Sequence, residues 1–352
     1  MRRFRAVLPA AMLFCLAATG QSPQETVPYK LHVYTDLVQI PTLVLSPSLK
    51  TLPLIDAQKF SISLDAGPLF RPTHVRLEGD DPISLAILLD LSIDRKALPP
   101  TLSKDIANLV PGSLHPKDHV SIYALDCNLV RSADDIPANA VEIEHSIDAV
   151  LQSPATYGKK AHSTCQDSVQ LWGALGEITY QLSSLPGHHV ILAISRGYDG
   201  GGGFKWVDLK HFATGESVAI FGLSMPSYDA TMRYKFIGLE NAINVSENTF
   251  NILCQLTGGF VLRPQEQELP QTLSRFVDLV RGRYILEFPR PANATVGAHG
   301  IAVTLYKTNA FIRPSGISIP LPDPAILTDP TTVPSDPSRT PQMGKRRILP
   351  PQ

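Results

Sequence analysis

The segment Asp90-Leu91-Ser92-Ile93-Asp94 carries oxygen-bearing side chains at three alternate positions. It follows directly on residues 84–89 (SLAILL), a continuous apolar run that reads as a strand buried on both faces. In an open α/β sheet, ligands bind at the carboxyl ends of the strands, near the point where strand order reverses. Two carboxylates and a hydroxyl on one side of a tight loop are the oxygen set that hard cations such as Mg²⁺ favour.

Competing chemistries find less support. Gly200 to Gly203 with Lys205 suggests a phosphate cradle, but Trp206 stands where a P-loop needs Ser or Thr, so the stretch reads as a surface loop. No Gly-x-Ser-x-Gly elbow is present, and Gly222-Leu223-Ser224-Met225 fails at its last position. His188-His189 reads as a solvated turn, Asp134-Asp135 as an edge or cap, and Trp172 as core. The cysteines Cys127, Cys165 and Cys254 lack the short spacing of a zinc site.

The elements that must position these groups follow from periodicity. Residues 29–77 alternate and are spaced by Pro- and Ser-rich turns, as in a β-rich module. From Asp80-Asp81-Pro82 onward, buried strands at 84–89, 120–125, 190–194 and 218–223 alternate with helices. The helices are predicted at 102–114, 141–152, 168–185, 207–212, 248–256 and 269–280, with an edge segment near 129–135 and a short strand at 260–262. That alternation predicts an α/β layered sheet with a mainly parallel core. Strands at 284–288 and 301–306 then return to β and are expected to pair with the N-terminal module, since the ends of an inserted domain lie close together.

The chain has 352 residues, 43% of them hydrophobic, which is enough for a substantial core. Its 31 Lys and Arg balance 32 Asp and Glu, so no charge excess drives nucleic-acid binding. Arg2, Arg3 and Arg5, the apolar run at 6–18 and the small residues Ala18-Thr19-Gly20 predict a signal peptide, hence a secreted or periplasmic protein without a membrane span in the mature chain. Ten of the 31 prolines lie between Pro314 and Pro351, which predicts a disordered tail. The expected plan is therefore 1–20 signal peptide, 21–80 β module, 81–283 α/β domain, 284–320 returning β strands and 321–352 Pro-rich disordered tail.

Asp90-Leu91-Ser92-Ile93-Asp94 at the end of the first buried strand resembles the Asp-x-Ser-x-Ser opening of the metal-ion-dependent adhesion site in von Willebrand factor type A domains. The resemblance covers roughly residues 84–280, with strands and helices in that family's order. The flanks, with Phe60-Ser61-Ile62-Ser63-Leu64-Asp65-Ala66-Gly67, resemble the exported type A-related proteins of Acidobacteria. It implies a doubly wound, mainly parallel von Willebrand factor A-like sheet flanked by helices, with a small β module beside it.

The same resemblance implies a degenerate site. Aligned on Leu171-Trp172-Gly173-Ala174-Leu175, the family's Thr ligand falls on Val169, which has no oxygen; Ser168 or Thr164 would have to substitute. The family's Ser/Thr-Asp-Gly turn reads Ser195-Arg196-Gly197, which puts a guanidinium where a carboxylate belongs. Metal would then bind weakly, through Asp90, Ser92 and Asp94 with Ser168 and Asp199 as rescue ligands, because Mg²⁺ needs a near-octahedral oxygen set and a fixed cation repels it. No cofactor is expected. In this fold, the loop after the second strand and the start of the third helix meet at the top face, which implies a Cys127–Cys165 disulfide, with Cys254 a small buried hydrophobe.

The leading expectation is a non-enzymatic, adhesion-type protein. Its binding face would comprise Asp90, Ser92, Asp94, Thr164, Ser168, Ser195, Arg196 and Asp199, and its partner would be another protein or a cell-surface polymer. An envelope scaffold with a vestigial top face is the alternative. An exported hydrolase is more remote, because no nucleophile, base and orienting group assemble from spacing.

Overall fold

The computed structural model describes residues 37–91, 98–152, 170–199, 203–225, 248–291, 294–295, 297–319, 328 and 340–344. A six-stranded sheet and a β module are built from them. The six-stranded sheet contains β4 (Ile83–Asp90), β5 (His119–Leu125), β6 (Leu129–Pro137), β7 (His188–Ile194), β8 (Ala219–Leu223) and β9 (Val261–Leu262) in the order β6-β5-β4-β7-β8-β9. Only β6, at one edge, runs antiparallel. Every residue of β4 and β8 is buried, as expected of strands covered on both faces.

Alternation along β4 sorts the helices into two layers. Leu85, Ile87 and Leu89 pack with residues of α1 (Leu102–Ala107), α2 (Ala140–Gln152) and α6 (Leu269–Arg281). Ala86 and Leu88 face the other way, onto α3 (Leu171–Ser183), α4 (Trp206–Gly215) and α5 (residues 248–256). On α3 the buried residues Leu171, Leu175, Ile178 and Leu182 recur at helical spacing, so one stripe of that helix meets the sheet.

The β module takes strands from both sides of this unit. β1 (Leu37–Leu45), β3 (His74–Leu77), β10 (Tyr284–Pro289) and β13 (Phe311–Pro314) form a sheet in the order β13-β1-β10-β3. β2 (Phe60–Leu64) pairs with β12 (Ile301–Leu305), and β11 (Gly297–Ala298) with β14 (Ser318–Ile319). Val38, Ile40, Tyr284, Leu286 and Phe288 from the first sheet pack on Phe60, Ile62, Leu64 and Val303 from the second. The expected pairing of the outer β segments is thus present strand by strand.

The two cores share a wall. Along β1, Val38, Ile40 and Val44 enter the module core, whereas Leu43 and Leu45 join the core of the six-stranded sheet. The chain also leaves and returns on neighbouring strands, because β3 precedes β4, β10 follows α6, and Leu77 pairs with Tyr284.

Three expectations need correction. The first helix stops at Ala107 instead of running to 114. Pro111 removes a backbone donor and disfavours helix at the residue before it, while Leu109 and Leu114 are buried anyway and so extended the apolar pattern. His188 and His189 are strand residues, half-buried, and not a solvated turn. The structureless reading of 321–352 does not extend to residues 340–344: Pro341 is buried and Met343 packs against the module core.

Candidate functional site at the carboxyl edge of the sheet

Strand order reverses between β4 and β7, whose neighbours β5 and β8 lie on opposite sides. The parallel register pairs Leu89 with Ile194, which sets Asp90 beside Ser195. The Ser195 hydroxyl donates to Asp90 Oδ2 at 2.5 Å, and the Gly197 N–H donates to Ser195 Oγ at 2.9 Å. Asp126 follows β5 and Ser224 follows β8 at the same edge. All four residues, Asp90, Asp126, Ser195 and Ser224, are buried. Four adjacent strands therefore end in buried oxygen-bearing side chains. Sequence reasoning missed Asp126 and Ser224, although each is a polar residue closing an apolar run.

Asp199 sits across from this row. Its Oδ1 accepts the Trp172 N–H at 3.1 Å in the first turn of α3. A carboxylate there satisfies an otherwise unpaired helix donor and suits the positive end of the helix. The side chain of Phe250 in α5 covers the intervening turn. Gly197 has φ +76°, and a Cβ there would lie 2.8 Å from Phe250 Cγ, so this position accepts only glycine without displacement. The Phe250 ring in turn stands 6.3 Å from that of Trp172. One aromatic side chain thus ties the Ser195–Gly197 turn, α3 and α5 together.

Of the sequence-expected face, Asp90, Ser195, Arg196 and Asp199 lie along this edge, and Arg196 is half-buried. Ser92, Asp94, Thr164 and Ser168 lie outside the described residues. Cys127, just beyond β5, carries no free thiol, and its expected partner Cys165 also lies outside the described residues. Cys254 is free and fully buried in α5, and burial pushes its thiol pKa up. Among the described residues, no three His, Cys, Asp or Glu side chains group as metal ligands. The described donors, Asp90, Ser195 and Asp199, do not by themselves make a six-oxygen set. Asp90 and Asp199 already accept from Ser195 and Trp172, and Arg196 joins the same turn.

A second polar cluster lies at the opposite, amino end of the strands, where the chain crosses between module and sheet. Arg283 donates from Nε to Glu78 Oε2 at 2.6 Å and from Nη2 to Glu78 Oε1 at 2.7 Å, and both residues are buried. His188 Nδ1 stands 3.0 Å from Glu78 Oε1. Burial alone would raise the Glu78 pKa, but the Arg283 charge and its two hydrogen bonds, with His188 close by, bring it down to about 2. Beside them, Arg281 pairs with buried Asp118 and donates to the Asp81 carbonyl at 2.6 Å. Arg76 bridges Asp81 at 2.5 Å and Glu287 at 3.2 Å. This cluster is a joint between the module and the six-stranded sheet.

No protein-family model matches the chain, and no curated protein matches it. Solved structures do. Proximal thread matrix protein 1 from the mussel byssus is 11% identical with a TM-score of 0.41, over 58% of this chain and 50% of that one. This chain therefore spans about half the length of that protein. The conserved hypothetical protein BatB from Bacteroides thetaiotaomicron is 14% identical with a TM-score of 0.39, over 56% and 98%. The vWF domain of the type V pili tip protein Mfa5 from Porphyromonas gingivalis is 9% identical with a TM-score of 0.39, over 57% and 95%. By its strand order and its two helical layers, the unit from Ile83 to Val280 is a doubly wound α/β domain built on a mainly parallel sheet.

Proposed function

We propose that this is an exported, non-enzymatic recognition protein whose A-like carboxyl edge binds another protein or a surface polymer without a resident cation. The observation that carries the reading is the row of buried polar strand ends at the switch point, held by the 2.5 Å bond from Ser195 to Asp90. Both hydrogen bonds of the Ser195 hydroxyl go to a carboxylate and a backbone N–H, and neither partner is an imidazole that could take its proton. Such a hydroxyl fixes a turn; it is not set up for attack.

The case against a metal rests on charge. Arg196 stands between Ser195 and Gly197, where the resemblance implies a carboxylate, and a fixed guanidinium a few ångströms from a divalent cation costs binding energy at any realistic dielectric. On this reading the guanidinium takes over the cation's electrostatic role toward the acidic side chains of the edge. Export is supported by the basic and apolar pattern of residues 1–20, and no helix among the described residues is long and apolar enough to cross a membrane.

Affinity capture from envelope extract, with and without chelator, tests the proposal. The same partner should be recovered in both, and lost when Arg196→Ala and Asp199→Ala are combined. Loss on adding chelator would overturn the metal-free reading. Retention by the double variant would shift the function to the β module, as in an envelope scaffold.

A further inference from the structure

We infer that the turn Leu64-Asp65-Ala66-Gly67 of the β module is a peptide-docking site, and that residues 340–344 of the chain's own tail occupy it. The ligand class is an extended segment of the form Pro-x-Met-Gly. The turn follows β2, and its two central residues, Asp65 at φ +50° and Ala66 at φ +58°, are both in the left-handed region without being glycine. Such strain persists only where surrounding contacts hold it, and it concentrates where a backbone has a task.

The inner side of the turn is pinned by its own module. Asp65 Oδ1 accepts the Gly300 N–H at 2.7 Å, and Asp65 Oδ2 lies 2.8 Å from His299 Nδ1. His299 Nε2 in turn lies 2.9 Å from the Thr295 carbonyl, so the ring is held at both ends. The outer side receives the tail. The Leu64 carbonyl, which already closes the turn by accepting the Gly67 N–H at 2.8 Å, also accepts the Gly344 N–H at 3.1 Å.

The approach is backbone against backbone, and it needs two residues without side chains. A Cβ on Gly344 would lie 2.6 Å from the Gly67 nitrogen, and one on Gly67 would lie 2.9 Å from the Met343 carbonyl carbon. Beside this contact Met343 packs against the module core and Pro341 is buried, while Gln342 faces solvent. The segment thus has an apolar anchor, a main-chain hydrogen bond and a glycine that no other residue replaces.

The test uses the full chain. Amide exchange across residues 340–344 and peroxide oxidation of Met343, both read by mass spectrometry, should run at least tenfold slower than in a free peptide of residues 336–348. Gly344→Ala, which alters only the tail, should restore the free-peptide rates while leaving exchange in β1 and β10 unchanged. Gly67→Ala should do the same from the receptor side. A labelled 336–348 peptide should then bind the Gly344→Ala chain in preference to the wild type, whose site is filled. Free-peptide rates in the wild type, or a Gly344→Ala chain that keeps its protection, would overturn the proposal. Protection that disappears on dilution would place the occupant on a second copy and overturn the assignment to the chain's own tail.

Discussion

Replacing Glu78 by Gln should destabilise the chain by about 3–5 kcal/mol at neutral pH, the usual cost of leaving one member of a buried ion pair alone. The geometry of the pair is consistent with that range. Glu78 and Arg283 are both buried, their two bonds are 2.6 and 2.7 Å, and His188 approaches the same carboxylate at 3.0 Å. Proton linkage gives a second route to the magnitude. The Glu78 pKa falls from its ordinary 4.5 to about 2 on folding. A depression of that size is worth on the order of 3 kcal/mol. Because the folded-state pKa is the lower one, this stability is fully present above about pH 4.5 and is lost as pH falls toward 2. Urea unfolding followed by tryptophan fluorescence and far-ultraviolet dichroism, repeated from pH 7 down to pH 3, reads both effects. The gap between wild type and Glu78→Gln should be widest at pH 7 and should narrow steadily below pH 4.5. Converting both partners to Met should recover much of the loss, since an apolar pair leaves no buried charge. A loss below about 1 kcal/mol, or a gap independent of pH, would refute the reasoning.

Ser195→Ala removes the donor to buried Asp90 and the acceptor for the Gly197 N–H, and should cost about 1–3 kcal/mol in denaturant unfolding; no measurable change would show that the edge is solvated and loosely held. Phe250→Ala empties the space between Gly197 and Trp172 and should cost about 3–5 kcal/mol, with faster amide exchange in the Ser195–Asp199 turn than in β4. Uniform acceleration of both segments would mean that Phe250 serves general stability only. Non-reducing peptide mapping should find Cys127 linked to Cys165, closing a loop of about 39 residues worth on the order of 3–4 kcal/mol by chain entropy. Buried Cys254 should alkylate only after unfolding, and alkylation of Cys127 in the unreduced, unfolded chain would reject the bridge.

Much of the framework was legible because burial on both faces leaves a plain signature. The run at 84–89 became β4, and α2, α3 and α6 fell where apolar residues recurred at helical spacing. Pairing of the outer strands followed from insertion geometry and appears in β1 with β10 and β2 with β12. The short strands β11, β13 and β14 were not legible, since two to four residues carry no period. Glu78 and Arg283 are 205 positions apart, and neither has a local pattern that names the other. Their only sequence signal is a charge set against an apolar strand, Glu78 after β3 and Arg283 before β10. His188 was misread for a related reason: a histidine at a strand start looks solvated until a buried carboxylate from another segment arrives. The Gly67–Gly344 contact is equally invisible, because a glycine in a Pro-rich tail reads as a flexible linker until its partner is placed. At the carboxyl edge, Asp90 was singled out because it closes an apolar run, and Ser195 and Asp199 because of the resemblance, whereas the bond joining Asp90 to Ser195 depends on a register that only the sheet supplies.

Isothermal titration calorimetry with Mg²⁺ on the wild-type chain tests most directly whether the carboxyl edge works without a cation. Arg196 among the acidic groups of the edge predicts no binding heat up to millimolar Mg²⁺, and predicts that Arg196→Asp creates a measurable site. Micromolar binding by the wild type would contradict it, and would mean that a rescue ligand such as Asp199 or Ser168 completes the metal's coordination despite the guanidinium.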